Sequence, residues 1–303
     1  MDNCDNMSLK MNPFAKNISE PSHPFIKWAG GKSRLISQIK NFIPKEFNNY
    51  FEPFVGSGAL FFYIVRSFKM KRNCYAHLSD INAELINVYK IIKDNLTDLI
   101  KELQYNEIEY NKDPRRFYYK LREETFRFNH IQQAARFITL NKTCYNGLYR
   151  VNKKGLFNVP IGNYTNPKIC DIENLTRVNK IINFTNVNFE TYDYQYIITK
   201  IKANDFIYFD PPYHPLNETS KFTNYTSHGF DYNQQKRLAN FFYELDKRKC
   251  KILLSNSDTT FVRDLYSSFS QNIISLSALR SINSNTEKRK NHSELIIKNF
   301  SSD

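Results

Sequence analysis

The sequence is poor in the features that mark secreted, metal-bound or membrane proteins. Its five cysteines (Cys4, Cys74, Cys144, Cys170 and Cys250) are odd in number, widely spaced and without a C-x-x-C pair. That pattern excludes a disulfide framework and a cysteine zinc site, and reduced thiols are expected. Six histidines form no H-x-x-x-H pattern, so no metal is expected. No apolar run approaches the length of a bilayer span. The polar start MDNCDNMSLKMNPFAKN contains no apolar h-region. A cytoplasmic protein with no membrane contact is the expectation. Two glycines are also missing where nucleotide motifs need them. Gly30-Gly31-Lys32-Ser33 lacks the P-loop glycine, because Ile26 stands five residues before Gly31. Gly56-Ser57-Gly58 lacks the third glycine of G-x-G-x-x-G, because residue 61 is Phe, which disfavours a dinucleotide.

What is present is a basic, aromatic chain of 303 residues with 41% hydrophobic content, 20 Tyr and 25 Phe. That length holds one large α/β domain with an insertion, or two ordinary domains, around a substantial core. The formal net charge of +13 calls for a polyanionic partner, nucleic acid or an acidic membrane face.

Residues 1–22 are polar and aperiodic and read as a mobile arm. Residues 33–43 have helical spacing. NYFEPFVGSGALFFYIVRSF reads as a short strand, a glycine turn and an apolar helix, and residues 74–80 as a strand ending in an acid. Leu85, Val88, Ile92, Leu96, Leu99 and Leu103 share one side of a helix predicted over 83–103. Residues 104–140 are charged, aromatic and helical. Residues 141–168 read as loops with a β-hairpin near Lys154-Gly155. Strands return at VNFETY, at 205–210 and at 250–258, with an amphipathic helix over 233–248 and a closing strand SELIIKNF. This order predicts an α/β sheet interrupted by a mostly helical insertion.

Three constellations carry chemistry. In Phe51-Glu52-Pro53-Phe54-Val55-Gly56-Ser57-Gly58, between a strand and a helix, the glycines let the backbone turn sharply and approach a ligand, and the helix start offers free N–H groups. Asp80, 22 residues after Gly58 at the end of the next predicted strand, stands where a carboxylate accepts both hydroxyls of a ribose. Asp210-Pro211-Pro212-Tyr213 follows the strand Asp205–Phe209. The exocyclic amine of a base is a poor nucleophile because its lone pair is delocalised into the ring. Asp210 can accept one amino hydrogen and the Pro211 carbonyl the other, which pulls the nitrogen toward a nucleophilic shape. The prolines fix the carbonyl direction, and Tyr213 offers a stacking face. The bland reading is a proline turn after a strand. Asn141–Arg150, beside Lys153 and Lys154, carries Asn, Tyr, Leu and Arg on a loop, a set suited to DNA contact or to an ordinary basic surface. The basic run Lys288-Arg289-Lys290 reads as a solvated loop with phosphate contact as an option.

Taken together and in order, Lys27-Trp28-Ala29-Gly30-Gly31-Lys32, Glu52–Gly58, Tyr145–Arg150 with Phe157-Asn158-Val159-Pro160, and Asp210–Tyr213 resemble the Dam-type DNA adenine-N6 methyltransferases. Asp80-Ile81-Asn82, Leu254-Ser255-Asn256 and Ser293-Glu294-Leu295-Ile296 add to the likeness, which runs from about residue 24 to 300. It is nearest to methylases of restriction–modification pairs that protect GATC sites. The resemblance implies a Rossmann-like S-adenosylmethionine-dependent methyltransferase sheet. The catalytic domain would comprise 23–82 and 168–303, and a target-recognition domain 83–167. It implies cofactor contacts at Trp28, Lys32, Phe54, Gly56, Gly58, Asp80 and Asp210, and base-holding and catalytic roles for Asp210, Pro211, Pro212 and Tyr213. Lys27, Tyr145, Asn146, Leu148 and Arg150 would contact double-stranded DNA, and a restriction endonuclease is the implied functional partner. Before Tyr145 the segment Asn141-Lys142-Thr143-Cys144 departs from the family pattern. The tetrapeptide chemistry itself also fits cytosine-N4, RNA or a protein amide, and the charge alone fits a non-catalytic DNA-binding relative.

Overall fold

The computed structural model describes residues 23–28, 36–67, 73–124, 128–214, 230–277 and 293–301. The expected arm 1–22, Lys32 and the basic run 288–290 lie outside the described residues.

Among the described residues seven strands form one sheet: β1 (Tyr50–Glu52), β2 (Tyr75–Asp80), β3 (Asn186–Thr191), β4 (Phe206–Phe209), β5 (Lys251–Ser257), β6 (Ile273–Ser277) and β7 (Ser293–Lys298). Their spatial order is β3-β2-β1-β4-β5-β7-β6. The first five are parallel, with Tyr50 opposite both Ala76 and Phe206. β7 runs antiparallel to β5 and β6. The helices are α1 (Ile36–Ile39), α2 (Ala59–Arg66), α3 (Ala83–Asp94), α4 (Leu96–Lys112), α5 (Pro114–Glu123), α6 (His130–Thr143), α7 (Ile172–Phe184), α8 (Tyr232–Lys247) and α9 (Thr260–Leu265).

Strand alternation divides the core between the two faces of the sheet. Tyr50, Phe206, Tyr208, Leu253 and Ile296 pack under α2–α7. Phe51, Ile207, Phe209, Leu254, Leu295 and Ile297 pack under α8 and α9. The result is a doubly wound, Rossmann-like α/β fold. From β1 the chain moves outward to β2 and β3, then returns to β4 on the other side. The topological switch therefore lies between β1 and β4, where sheets of this kind hold ligands beyond the strand ends.

The structure departs from the sequence reading in five places. The helix expected over 83–103 is two helices, because Asn95 leaves helical geometry (φ −133°, ψ 37°). Residues 141–143, read as loop, complete α6, whose start is fixed by a capping box between Asn129 and Gln132. The helices α7 and α9 and the strand β6 were not read from the sequence. The hairpin turn falls at Asn152–Leu156, where the Asn152 carboxamide accepts from the Lys154 and Leu156 N–H groups and Gly155 takes φ +76°. Cys74, Cys144, Cys170 and Cys250 are free and buried. Among the described residues no helix is long and apolar enough to cross a membrane.

Candidate functional site

Two loops leave the sheet side by side at the switch point. The first follows β1. Gly56 and Gly58 take φ +47° and +66°, a region costly for any residue with a Cβ. Space enforces the same choice. A Cβ on Gly56 would meet the Trp28 indole at 2.8 Å, and one on Gly58 the Tyr89 hydroxyl at 2.8 Å. The Gly56 N–H donates to Asp80 Oδ2 at 3.3 Å, and its carbonyl accepts from the Tyr89 hydroxyl at 3.0 Å. Asp80, at the end of β2, also accepts from the Asn82 N–H at 3.0 Å. Burial raises its carboxyl to about 6 against these hydrogen bonds. The next residue, Ile81, is 60% exposed. Trp28, Gly56, Gly58 and Asp80 are thus brought together. Phe54 turns to the other face, half-buried and stacked on Tyr194 at 5.3 Å between centroids.

The second loop is Asp210–Tyr213, directly after β4. Pro211 is buried; Asp210, Pro212 and Tyr213 are half-buried. The Tyr213 hydroxyl donates to Glu294 Oε2 on β7 at 2.8 Å. The Pro212 carbonyl accepts from Gln235 Nε2 of α8 at 3.0 Å. Across the switch, Glu52 ends β1 almost fully buried and accepts from the Tyr50 hydroxyl at 2.8 Å. Burial raises the Glu52 carboxyl to about 8, and the Asp210 charge adds to the rise. Burial, then Asp210, lifts the Tyr213 phenol well above its usual range. The electrostatics therefore leave Asp210 beside an acid that stays protonated near neutral pH.

A third group stands on the insertion between β2 and β3. Tyr145 and Asn146 are exposed at the tip of a turn, with Asn146 at φ 54°. Leu148 is half-buried against the core. The Arg150 guanidinium bonds Asn158 Oδ1 at 2.8 Å, and isolated bridges Val151–Phe157 and Cys144–Ile161 close the hairpin. Lys27 is exposed, its ammonium 3.8 Å from the centre of the Tyr164 ring. Buried Asn141 ties this segment to the hairpin. Its Oδ1 accepts from the Lys27 N–H at 2.8 Å, and its Nδ2 donates to the carbonyls of Lys27 (2.6 Å) and Gly147 (3.2 Å).

Sequence reasoning missed Gln235; it placed Asn141 and Tyr149 in the Asn141–Arg150 loop, and Glu52 and Glu294 in matched motifs, without giving any of the four a role of its own. Tyr149 donates to Glu84 Oε2 at 2.9 Å and stacks on Trp28 at 5.8 Å and on Phe137 at 5.3 Å. These are contacts between residues far apart in the chain. The signal in the sequence was their place in the matched motifs: Glu52 in Glu52–Gly58, Tyr149 in Tyr145–Arg150, Asn256 in Leu254-Ser255-Asn256 and Glu294 in Ser293-Glu294-Leu295-Ile296.

With this geometry in hand, likenesses to known proteins are informative. Residues 28–282 match the family described as D12 class N6 adenine-specific DNA methyltransferase. The type II methyltransferase M.MjaIII of Methanocaldococcus jannaschii is 45% identical over 293 residues, covering 91% of this chain and 99% of that protein. The type II methyltransferase M1.LlaDCHI of Lactococcus lactis subsp. cremoris is 38% identical, covering 91% and 95%. The DNA adenine methylase of Serratia marcescens is 34% identical, covering 90% and 96%.

Proposed function

The chain belongs to the D12 class of N6 adenine-specific DNA methyltransferases, and from that premise we propose that it methylates adenine within GATC in duplex DNA after flipping the base out of the stack. The observation that carries this reading is the pairing of the Gly56 loop and the Asp210–Tyr213 turn on neighbouring strands at the switch point.

The residues present fit S-adenosylmethionine. The glycine loop lies against the Trp28 indole, Asp80 offers a carboxylate to ribose hydroxyls, and Ile81 presents an exposed apolar side chain to a purine. Lys32, Asp210 and the backbone of Phe54, whose ring packs on Tyr194, complete the proposed cofactor contacts. When bound, this cofactor supplies an electrophilic sulfonium methyl group. The chain's own part is to make the base amine nucleophilic. Asp210 accepts one N6 hydrogen and the Pro211 carbonyl the other, while the Tyr213 ring stacks on the base. Among the described residues the Pro211 carbonyl has no protein donor, whereas that of Pro212 is taken. As the N6–methyl bond forms, the nitrogen gains positive charge that the Asp210 carboxylate stabilises, an interaction that strengthens toward the transition state, and the same carboxylate stands placed to take the N6 proton that is lost.

DNA is read by Lys27, Tyr145, Asn146, Leu148 and Arg150. Arg150 exchanges its Asn158 contact for a base edge, and Leu148 or Tyr145 wedges between bases. Residues 83–167 form the recognition unit, and residues 23–82 with 168–303 the catalytic one. The names of the two type II relatives support pairing with a restriction endonuclease, and the basic charge supports a DNA partner. The test is methylation of plasmid DNA with labelled cofactor, followed by nucleoside mass analysis and digestion with a nuclease blocked by methylated GATC. N6-methyladenine and full protection are expected. N4-methylcytosine, or label in RNA alone, would overturn the reading.

A further inference from the structure

The Asp210–Tyr213 turn is anchored from behind by a buried chain of amides whose direction is set at both ends. Asn256 Oδ1 accepts from the N–H groups of Ser257 at 2.8 Å and His214 at 3.3 Å. Backbone N–H groups only donate, so this atom is the oxygen and the Asn256 nitrogen points the other way. That nitrogen donates to Gln235 Oε1 at 3.0 Å. The Gln235 nitrogen is thereby left facing the Pro212 carbonyl, which only accepts, at 3.0 Å. The Ser257 hydroxyl completes the set by donating to the His214 carbonyl at 2.7 Å. Gln235 and Asn256 are fully buried.

We propose that Gln235, held in one orientation by Asn256, is a positioning residue that aims the Pro211 carbonyl at the target amine. This inference rests on the reading of Asp210–Tyr213 as the base-holding turn. Burial sharpens the argument. A buried, satisfied amide network contributes little net stability over a well-packed hydrocarbon, yet leaving one member unpaired is costly. Such a network fixes geometry more than it adds stability. It also discriminates between two adjacent carbonyls. The Pro212 carbonyl is consumed, and the Pro211 carbonyl has no donor among the described residues. The ring of Pro212 locks its φ. Only one soft dihedral therefore separates the anchored carbonyl from that of Pro211, so fixing the first narrows the direction of the second. Gln235 does not touch the base in this scheme; it acts through the turn.

The test uses the full chain with Gln235→Met, which keeps length and removes both polar atoms, and Gln235→Glu, which keeps outline and sets an oxygen against the Pro212 carbonyl. Single-turnover methyl transfer to a GATC duplex, cofactor affinity by calorimetry, duplex affinity by anisotropy and thermal unfolding are measured together. A misaimed acceptor slows the chemical step by about 10–100-fold, with both affinities within threefold of wild type and melting still cooperative. The Glu variant falls at least as far as the Met variant. Single-turnover rates within threefold of wild type overturn the proposal, and so does a loss that merely tracks folded fraction or affinity. If the Met variant does not fold, the isosteric Glu variant decides. A wild-type chain that methylates no adenine removes the base-holding reading and this inference with it. An active wild type with active variants removes this inference alone.

Discussion

The turn after β4 and the tip of the recognition hairpin carry the two halves of the proposed task, and they are built in opposite ways. The turn is gripped from α8, β5 and β7 by Gln235, Asn256 and Glu294, partners 21 to 81 residues apart in sequence. The hairpin tip leaves Tyr145 and Asn146 exposed, and among the described residues the Arg150 guanidinium hydrogen-bonds only to Asn158 of the same hairpin. An exposed hydrogen bond of that kind is worth about 1 kcal/mol and is readily exchanged for another acceptor. A reacting centre needs its geometry set before the substrate arrives, whereas a reading surface gains from groups that can re-pair on contact.

Four measurements would break or sharpen that contrast. The largest effect belongs to the rigid region. Asp210→Ala should lower kcat by about 10²–10³-fold or more, a far larger loss than the weakening of cofactor binding seen in calorimetry, because the interaction with the amine strengthens in the transition state; a variant retaining most activity would remove the mechanism. Next comes the adaptable region. Arg150→Ala should cost about 1–3 kcal/mol of discrimination at one base position, seen by comparing single-base variants of the target duplex. Equal weakening on every duplex would make Arg150 a phosphate contact. The glycine loop follows. Gly56→Ala places a Cβ 2.8 Å from the Trp28 indole in a left-handed conformation, a strain of about 1–2 kcal/mol, and should weaken cofactor binding by up to about tenfold. Unchanged affinity would show that the indole simply moves aside.

The last measurement reads stability rather than activity, as a pH slope. The folded state keeps a proton on Glu52 up to about pH 8, whereas the unfolded chain releases it near pH 4.3. The folded form thus holds the extra proton between those values, and its stability falls as pH rises through that window. Glu52→Gln abolishes this dependence while preserving an acceptor for the Tyr50 hydroxyl. The difference in Tm between variant and wild type should grow in the variant's favour from pH 5 to 8. Parallel Tm curves would show that Glu52 is ionised in the folded protein.

The sheet was legible where chemistry is local. An aromatic strand running into glycines, a strand ending in Asp80 and an apolar run ending in Asp210-Pro211-Pro212-Tyr213 each announce themselves within ten residues, and all three fall at strand ends. Asn95 broke a helix that leucine periodicity carried straight through, because spacing records which side is apolar but not where the backbone leaves helical geometry. Gln235 looked like one more polar residue of an amphipathic helix. Only the approach of β5 and the proline turn, 21 and 23 residues away, turns it into an internal donor. Asn141 lies in a stretch that departs from the family pattern, and nothing near it in the sequence marks it as a tie. Its three bonds reach Lys27, 114 residues away, and the Gly147 carbonyl.

That asparagine joins two neighbours with different allegiances. Trp28 leans on Gly56, while a Cβ on Gly147 would meet Lys27 at 2.4 Å. The peptide carrying Lys27 and Trp28 is therefore a shared hinge-pin between the pocket wall and the hairpin. A hairpin transplanted from a relative to change the target would have to bring its own counterparts of Lys27 and Trp28. The natural unit of exchange is discontinuous, with one piece lying far upstream of the other.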